Sequence, residues 1–340
     1  MLILLWGVPE ERPLAAVAKA LHRSGADFVL VNQRHVLRTR VTLTVGEQVT
    51  GVLSLPGSTV PLEEVGAAYI RPYDSRQLPA VCNASNSTQA ERCAVAVDQI
   101  LFNWCELTAA VVVNRPRDSA SNGCKPYQAR IIRQLGFKVP KTLITTTRAA
   151  ALDFHEQQGG IIYKSISGIR SRVTRLTPAH ADRLADVACC PTQFQEFLPG
   201  RDFRVHVVGS EVFGCEIDCD ADDYRYPGDH PVTIRAAKIP SDIEERCLSL
   251  VRRMGLFVAG VDLRRTPSGE WCCFEVNPSP AFTFYEESSE QPIAAAIASL
   301  LISAAHNWTS ERGTSGSDAA PAVLGLDRDL NLAPAVIWEA

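Results

Sequence analysis

Two segments in the last third of the chain decide the fold: Val258–Leu263, which reads VAGVDL, and Phe274–Pro278, which reads FEVNP. Each predicts an apolar strand with polar side chains at its end. Residues two apart on a strand point to the same face, so Glu275 and Asn277 should project together. If the two strands pair through the intervening turn, Asp262 lies beside them. Two carboxylates and one amide oxygen are hard ligands, which suit a Mg²⁺ ion that nucleotide phosphates also hold.

A solvated strand edge with an Asn-Pro turn is the ordinary explanation of Glu275–Pro278 taken alone. The partner Asp262 and the apolar residues around both segments favour a site instead. A carboxylate buried in apolar surroundings needs a cation or strong hydrogen bonds. We therefore expect Asp262, Glu275 and Asn277 to bind a divalent metal ion, Mg²⁺, with Mn²⁺ as the alternative.

A strand that ends in a lysine precedes this region. Ile161–Lys164 predicts the strand, and the loop Ser165–Arg172 that follows is small, contains Gly168 and carries basic residues. Such a loop can hold phosphate oxygens by charge and through its backbone N–H groups. The spacing of a P-loop is absent, and many strands end in a lysine beside a hairpin, so this feature is weak on its own.

The third feature is the segment Gln193–Arg204, which reads QFQEFLPGRDFR. An apolar strand that leads directly into a polar stretch can offer backbone groups to an adenine edge. Glu196 and Asp202 would then serve the amino group and the ribose hydroxyls. The alternative is an ordinary strand–loop–strand, in which Arg204 pairs with a neighbouring carboxylate.

The composition excludes several classes of protein. The chain has 340 residues, enough for two or three domains, and a formal net charge of −4. A mildly acidic chain argues against binding of nucleic acid or an acidic membrane, because both need a clustered basic surface. The apolar N-terminus ends too early for a signal sequence, and Ile293–Ala305 is too short to span a bilayer. The 11 cysteines lack zinc-type spacing, so we expect a cytoplasmic protein with reduced, mostly buried thiols.

The order of predicted elements divides the chain into four parts. Strands and helices alternate in residues 1–112, which predicts a small α/β domain. Residues 113–190 predict a second α/β lobe, and residues 191–308 predict a third lobe that carries the candidate metal site. Residues 309–340 form a tail, and its start, residues 309–322, is rich in Ser, Thr, Gly and Ala and is expected to be mobile.

The order of these features resembles the ATP-grasp superfamily, in which two α/β lobes hold ATP between them. The resemblance extends from about Asn114 to about Ser303 and includes Lys125 at a helix start. Its most specific part is Asp262 followed by the Glu-Val-Asn-Pro segment. The resemblance implies an α/β chain with an ATP-grasp fold, preceded by a small N-terminal domain.

Within the superfamily the chain looks most similar to RimK-like ligases and especially to the graspetide peptide maturases. Tyr224 stands where graspetide members often have Trp, and Pro280–Phe282 stands where RimK-like members commonly have Pro-Gly. Both departures lie where we expect the acceptor substrate, so they bear on substrate identity. The segments that carry the resemblance are Tyr69–Pro72 (YIRP), Pro140–Thr145 (PKTLIT), Tyr163–Ser165 (YKS), Asp223–Arg225 (DYR) and Phe274–Pro278 (FEVNP).

The resemblance implies a role for each candidate residue. Asp262, Glu275 and Asn277 would hold Mg²⁺, and two lysines would bind the ATP phosphates. Adenine would contact the segment Glu196–Leu198, and the ribose would contact Asp202. The candidates for nucleotide binding are Lys125, Lys164, Ser165, Gly168, Gln195, Glu196, Phe197, Leu198 and Asp202. Three arginines are candidates for stabilising the transferring phosphoryl group and the oxyanion, and the choice among them stays open: Arg204, Arg225 and Arg235.

The implied reaction begins when a substrate carboxylate attacks the γ-phosphate of ATP, which gives an acyl phosphate and ADP. An amine or hydroxyl then attacks the acyl carbon and gives an amide or ester. We expect a peptide side chain as the substrate, and a RimK-like ligase for amino acids or small molecules is the alternative. A nucleotide-binding regulatory protein on the same fold is a second alternative, against which the intact metal-binding set speaks. A homodimer stays open.

Overall fold

The computed structural model describes residues 2–166, 172–180, 182–190 and 192–314, the last six of them by their backbone alone. The described strands are β1 (Leu2–Gly7), β2 (Phe28–Asn32), β3 (Arg40–Val45), β4 (Val49–Leu55), β5 (Ser58–Pro61), β6 (Val65–Arg71), β7 (Val111–Val113), β8 (Thr142–Thr145), β9 (Ile161–Ser165), β10 (Thr174–Arg175), β11 (Thr192–Glu196), β12 (Arg201–Val208), β13 (Glu211–Asp218), β14 (Thr233–Ala236), β15 (Val258–Arg265) and β16 (Trp271–Asn277).

The described helices connect these strands. The α-helices are α1 (Arg12–Arg23), α2 (Pro79–Cys82), α3 (Ser87–Leu107), α4 (Pro116–Ser119), α5 (Lys125–Gln134), α6 (Arg148–Gln158), α7 (Ser241–Arg253), α8 (Thr283–Ser289) and α9 (Ile293–Thr314). The 3₁₀ helices span Gln33–Arg38, Leu62–Glu64, Ser75–Gln77, Ala120–Gly123, Pro178–His180 and Asp182–Ala188. Within the described part of the chain, no helix combines the length and the apolar character needed to cross a membrane.

The N-terminal lobe contains a parallel sheet in the order β2-β1-β6-β7. Alternate residues of β1 enter two different cores, because successive side chains on a strand point to opposite faces. Leu5 packs with Leu14 of α1 and Leu301 of α9. Leu4 on the other face packs with Leu101 of α3. Helices therefore cover both faces, which is the usual arrangement of a parallel sheet.

A small antiparallel sheet is attached to this lobe. Its three strands are in the order β3-β4-β5. Leu53 of β4 and Val60 of β5 are buried in the same core as Leu4 of β1. This sheet therefore shares one core with β1 and α3.

The central lobe is a four-stranded sheet in the order β10-β9-β11-β8, with α6 packed on one face. The sequence assigned Thr192–Glu196 to the third lobe, whereas this strand lies between β8 and β9 in the central sheet. The assignment to the third lobe is corrected here. β11 is close to β12 in the sequence, but that closeness does not show which strands β11 pairs with. Two 3₁₀ helices, Pro178–His180 and Asp182–Ala188, follow β10.

The C-terminal lobe is an antiparallel sheet in the order β14-β13-β12-β15-β16. Phe203, Val205 and Val207 of β12 share one core with α7 and with Ile132 of α5. Helix α5, which the sequence placed in the central lobe, thus packs on the C-terminal sheet. We propose a corrected division in which α5 joins the C-terminal lobe and β11 joins the central lobe.

The N-terminal lobe also contacts the segment that follows β16. Asn114 donates to the carbonyl oxygens of Val258 and Pro278, both at 2.6 Å, and accepts from the Phe257 N–H at 2.8 Å. Phe282 is fully buried in the core below α1 and α9. These contacts tie the segment that follows β16 to the N-terminal sheet.

The last helix and the thiols differ from expectation. Helix α9 continues to Thr314 and packs on β6 and α1, so the stretch expected to be mobile begins inside a helix. Residues 315–340 lie outside the described residues.

Of the 11 cysteines, all free, five are buried and five are exposed, so the expectation of mostly buried thiols is wrong. Two of the exposed cysteines, Cys82 and Cys93, lie in helices, and the local sequence pattern did not show that they face outward.

Candidate active site

A cleft between the central and C-terminal sheets contains a cavity of about 310 Å³. A larger, more open groove of about 670 Å³ lies beyond Asp202, but it does not contact Lys125, Lys164 or Glu275. The smaller cavity is the candidate site because it collects the charged candidates. Those that line it are Lys125, Lys164, Gln195, Glu196, Phe197, Leu198, Asp202, Arg225, Asp262, Glu275 and Asn277.

Asp262 and Glu275 lie on neighbouring strands, as the sequence predicted. Asp262 on β15 is directly opposite Glu275 on β16. A bulge after Asp262 makes Phe274 an extra residue, since Leu263 is paired with Cys273. Cys273 and Val276 remain in the core, whereas Phe274 and Glu275 both border the cavity.

Lys125 faces this pair from the first turn of α5. Its Nζ lies 2.7 Å from Oε2 of Glu275, and the two side chains are only 9% and 17% exposed. Burial works to raise the pKa of Glu275, but Lys125 and Lys164 outweigh it and hold that pKa below its ordinary value. Glu275 is therefore ionised at neutral pH and available as a ligand.

Gln128, which sequence reasoning missed, fixes α5 against β16. Its amide donates to the Val276 carbonyl and accepts from the Val276 N–H, both at 2.8 Å. Gln128 is three residues after Lys125, so the two share one face of the helix. That spacing is the signal that could have found it.

Lys164 is the second lysine of the cleft. It is on β9 and only 6% exposed. Burial, countered in part by Glu275 and reinforced by Lys125, lowers the pKa of Lys164 to about 8. Burial removes the water that would stabilise the charged ammonium group. An anionic ligand would replace that stabilisation, because an opposite charge nearby favours the protonated form.

Asp262 is held by Arg204, which lies beside it on β12. Nη1 of Arg204 is 2.5 Å from Oδ1 of Asp262. Burial raises the pKa of Asp262, and Arg204 opposes that rise. Gly260 leaves the room that the guanidinium occupies, because a Cβ there would lie 2.0 Å from Nη2.

The same two strands carry a second ion pair. Arg264 of β15 holds Asp202 of β12 through two contacts of 2.7 Å and donates to the Leu198 carbonyl at 2.7 Å. Asp202 therefore faces an arginine as well as the cavity. Arg264, which the sequence analysis did not select, is two residues after Asp262 and so shares its face of the sheet.

The end of β11 and the residues that follow it, Gln195–Leu198, also line the cavity. Gln195 donates to Oγ1 of Thr142 at 3.0 Å, and that hydroxyl donates to the Pro140 carbonyl. The Gln195 Oε1 atom is consequently an acceptor, and it is buried with no partner among the described residues. The N–H groups of Glu196 and Phe197 are bound to Lys141 and Gly160.

Four predicted residues do not line the cavity or lie outside the described part: Arg204, Arg235, Ser165 and Gly168. Arg235 on β14 is 68% exposed and lies 3.7 Å from Asp218, on the outer edge of the sheet. Ser165 is exposed at the end of β9, and Gly168 lies outside the described residues. Arg225, by contrast, borders the cavity and is paired at 2.8 Å with Asp223.

The donor set fits a hard divalent cation. Asp262 and Glu275 supply carboxylate oxygens at adjacent positions, and Asn277 adds an amide oxygen that also accepts from the Ser279 N–H at 2.9 Å. The described residues contain no group of three or more His, Cys, Asp and Glu side chains arranged for a metal. A set of two carboxylates therefore needs further oxygen ligands, which nucleotide phosphates provide in magnesium sites.

Comparison with known proteins identifies the family. A family model described as the RimK-like ATP-grasp domain matches residues 125–301, just over half of the chain. The chain belongs to the RimK-like ATP-grasp family, and the resemblance inferred from the sequence is confirmed.

Relatives and solved structures agree with this membership. A "Probable alpha-L-glutamate ligase" of Legionella pneumophila (strain Corby) is 24% identical over 203 residues, which are 56% of this chain and 65% of that protein. The chain thus spans slightly less than two thirds of the length of this curated relative.

Two solved structures match a larger share of the chain. The macrocyclase MdnC from Microcystis aeruginosa MRC, bound with precursor peptide MdnA, has a TM-score of 0.76 and 23% identity, with 89% of this chain and 99% of that chain covered. The ATP-grasp ligase PsnB, complexed with a phosphomimetic minimal precursor, Mg and ADP, has a TM-score of 0.75 and 25% identity, with 89% and 98% covered. The ATP-grasp fold predicted from the sequence is confirmed.

Proposed function

We propose that this chain is an ATP-dependent ligase that joins a carboxylate to an amine or a hydroxyl through an acyl phosphate, and that it modifies peptide side chains. One observation carries the proposal. Two carboxylates on adjacent strands, Asp262 and Glu275, face two buried lysines, Lys125 and Lys164, across a cleft between two sheets. Acidic oxygens for a metal and cations for phosphates are the requirements of a magnesium–ATP site.

The charges of the site suit an exchange of partners when nucleotide and metal bind. Asp262, Glu275 and Asn277 would hold Mg²⁺ (or Mn²⁺), which supplies charge neutralisation at the phosphate oxygens. Lys125 is bound to Glu275 before that exchange. With that carboxylate held by a metal ion, Lys125 would pair with a phosphate oxygen instead.

The remaining candidates suit the adenosine part of ATP. Gln195 and Glu196–Leu198 line the same cavity, and the unpartnered Gln195 Oε1 suits the amino group of adenine. Asp202 suits the ribose hydroxyls, and its bond to Arg264 keeps the carboxylate oriented. Lys164 binds phosphate through its ammonium group.

The chemistry needs positioning more than covalent catalysis. A carboxylate with an ordinary pKa near 4 is already ionised at neutral pH and needs no base before it attacks the γ-phosphorus. As that bond forms, the bond between the γ-phosphorus and the ADP oxygen breaks. The amine or hydroxyl then attacks the acyl carbon and loses its proton, and phosphate leaves. Preorganised cations stabilise the charge that develops at each step.

Among the three candidate arginines, Arg225 is the one we propose to contact the reacting groups, because it borders the cavity. Arg204 is 5% exposed and holds Asp262, so it acts on the metal-binding carboxylate. Arg235 is solvent-exposed on β14 and is the weakest candidate.

The peptide substrate is supported by the solved neighbours. MdnC and PsnB are bound with precursor peptides, and the likeness to both covers 89% of this chain, including the N-terminal lobe. The curated relatives favour the second candidate, a ligase for free amino acids or small molecules, because they are named glutamate ligases. These relatives match a smaller share of this chain.

The test is mass spectrometry of acidic peptides encoded beside this gene, incubated with the full chain, ATP and Mg²⁺. We expect ADP release that depends on the peptide and the loss of one water for each bond formed. The Glu275→Ala variant should lose this activity. Glu270→Ala is the matched control, because Glu270 is in the same hairpin but is exposed and pairs with Lys138.

The outcomes separate the candidate functions. Ligation of free amino acids with no peptide modified would indicate the small-molecule ligase. Tight ATP binding without turnover of any substrate would indicate a regulatory nucleotide-binding protein. Full activity of Glu275→Ala would refute the metal assignment.

A further inference from the structure

Two tyrosine hydroxyls meet at the wall of the cavity. The Tyr224 and Tyr285 oxygens are 2.8 Å apart. Tyr224 lines the cavity, whereas Tyr285 is on α8 behind it and is only 7% exposed. The two rings belong to different elements that are brought together in a small core with Ile217 and Ile234.

A count of protons shows that one hydroxyl hydrogen is unused. Each phenol has one O–H group, and their mutual hydrogen bond consumes one of the two. Among the described residues neither hydroxyl makes a second hydrogen bond. If Tyr224 donated, the hydrogen of the buried Tyr285 would have no acceptor, and an unpaired buried donor is costly. The favoured arrangement has Tyr285 donating to Tyr224, which leaves the Tyr224 hydrogen for the cavity.

The backbone around Tyr224 is fixed from both sides. Asp223 accepts from the N–H of Val173 at 3.1 Å and from Arg225 at 2.8 Å. The ring of Tyr285 lies 4.9 Å from that of His206 and 5.6 Å from the Arg204 guanidinium. The Tyr285 ring is thus held beside Arg204, the cation that pairs with Asp262.

Both phenols stay protonated near neutral pH. Burial, with the Asp262 carboxylate adding to it, raises the pKa of Tyr224 well above its ordinary value of 10.0. Burial also raises the pKa of Tyr285. Tyr224 is therefore a hydrogen-bond donor and not a base.

We propose that the Tyr224 hydroxyl donates a hydrogen bond to an oxyanion of the reacting groups, and that Tyr285 is a positioning residue that orients it. The oxyanion is either a γ-phosphoryl oxygen of the nucleotide or the carboxylate of the substrate, since both accept such a bond. This inference rests on the proposed ligase function. It assigns to the hydroxyl pair a part of substrate binding that the lysines and the metal-binding strands do not supply.

The first arm of the test uses nucleotides alone. Affinities of the full chain for ADP and for the non-hydrolysable ATP analogue AMP-PNP are measured with Mg²⁺ in wild type, Tyr224→Phe and Tyr285→Phe. If the oxyanion is the γ-phosphoryl group, Tyr224→Phe should lower the preference for AMP-PNP over ADP by about tenfold, the usual effect of one hydrogen bond to a charged group. Tyr285→Phe should have a smaller effect in the same direction.

The second arm uses the acidic peptide that wild type modifies. If the oxyanion is the carboxylate, Tyr224→Phe should raise the KM for peptide by about tenfold while the nucleotide preference stays unchanged. Adding Tyr285→Phe to Tyr224→Phe should cause little further loss, because the partner acts only through the Tyr224 hydroxyl. Tyr73→Phe, which alters an exposed side chain of the N-terminal lobe, is the matched control.

Each outcome decides the question. Unchanged nucleotide preference and unchanged peptide KM in Tyr224→Phe would overturn the proposal. If wild type binds nucleotide but modifies no peptide, the affinity for the acidic peptide replaces its KM in the second arm, and an unchanged nucleotide preference together with an unchanged peptide affinity overturns the proposal. Failure of wild type to bind either nucleotide would refute the ligase function itself, which is a different result.

Discussion

Alanine at position 260 should displace the Arg204 guanidinium from its site. A Cβ at Gly260 would lie 2.0 Å from Nη2, 2.4 Å from Cζ and 2.6 Å from Nε of Arg204. Ordinary van der Waals contact begins near 3.4 Å, so the guanidinium must shift by roughly 1.4 Å. On its other side the Tyr285 ring and the His206 imidazole limit the space available.

The shift breaks the ion pair between Arg204 and Asp262. Loss of one partner of a buried pair costs about 3–5 kcal/mol, because the other charge remains buried. The Asp262 side chain is 22% exposed, so water compensates in part and we expect the lower end, about 3 kcal/mol. The pKa of Asp262, which burial already raises, should rise further, so that Mg²⁺ binding weakens.

Urea unfolding and nucleotide binding measure the two consequences. The Gly260→Ala variant should lose about 3 kcal/mol in the free energy of unfolding. Its affinity for ATP should fall in the presence of Mg²⁺ and change little without it. The control is Gly46→Ala, because a Cβ there meets only the Gln48 carbonyl oxygen at 3.9 Å.

A double-mutant cycle separates this mechanism from a general effect on the strand. In the Arg204→Ala background the added Cβ has no guanidinium to displace, so Gly260→Ala should cost little more. Additive losses would show that the cost arises elsewhere. Wild-type stability and nucleotide affinity in the single variant Gly260→Ala would refute the steric reasoning altogether.

Three further predictions concern the elements around the cleft. Gln128→Leu leaves both backbone groups of Val276 unpaired and should destabilise the chain by roughly 2–4 kcal/mol in urea unfolding. Burial lowers the pKa of Lys164 to about 8, and only the protonated lysine attracts phosphate. ATP affinity measured by fluorescence should therefore be constant below about pH 8 and fall by up to tenfold per pH unit above it. Lys164→Met should abolish this pH dependence. Burial alone would raise the pKa of Asp223, but its bonds to Arg225 hold that pKa below the ordinary value of 3.8. Asp223→Asn should therefore lower the free energy of unfolding above pH 3.8, and the difference from wild type should vanish as the pH falls through the lowered pKa. A difference in unfolding free energy that stays constant in acid would contradict this.

The sequence predicted the elements that local patterns encode. The strands around Asp262 and Glu275 and their pairing through the intervening turn follow from apolar runs, a turn signal and alternation of side chains. Helix α5 with Lys125 in its first turn follows from its helical spacing. These patterns depend on neighbours in the chain, so one sequence is enough to recognise them.

Strand register was not available from the sequence. Asp-x-Arg occurs at Asp202–Arg204 and again at Asp262–Arg264. On antiparallel strands in register, each aspartate faces the arginine of the other motif, and the structure contains both pairs. A one-residue slip would have moved these side chains to the opposite face. The repeated motif therefore indicates the two ion pairs only after the pairing of the strands is known.

The sequence by itself determined the family, the ATP-grasp fold and the residue types from which a nucleotide and metal site can be built. Only the tertiary structure decided which lobe each element joins, that Arg204 and Lys125 hold the two carboxylates, and that Arg235 is outside the cleft. The physical reason is that charge pairing and burial arise between residues far apart in the chain. Tyr224 and Tyr285, 61 residues apart, form their hydrogen bond through such packing.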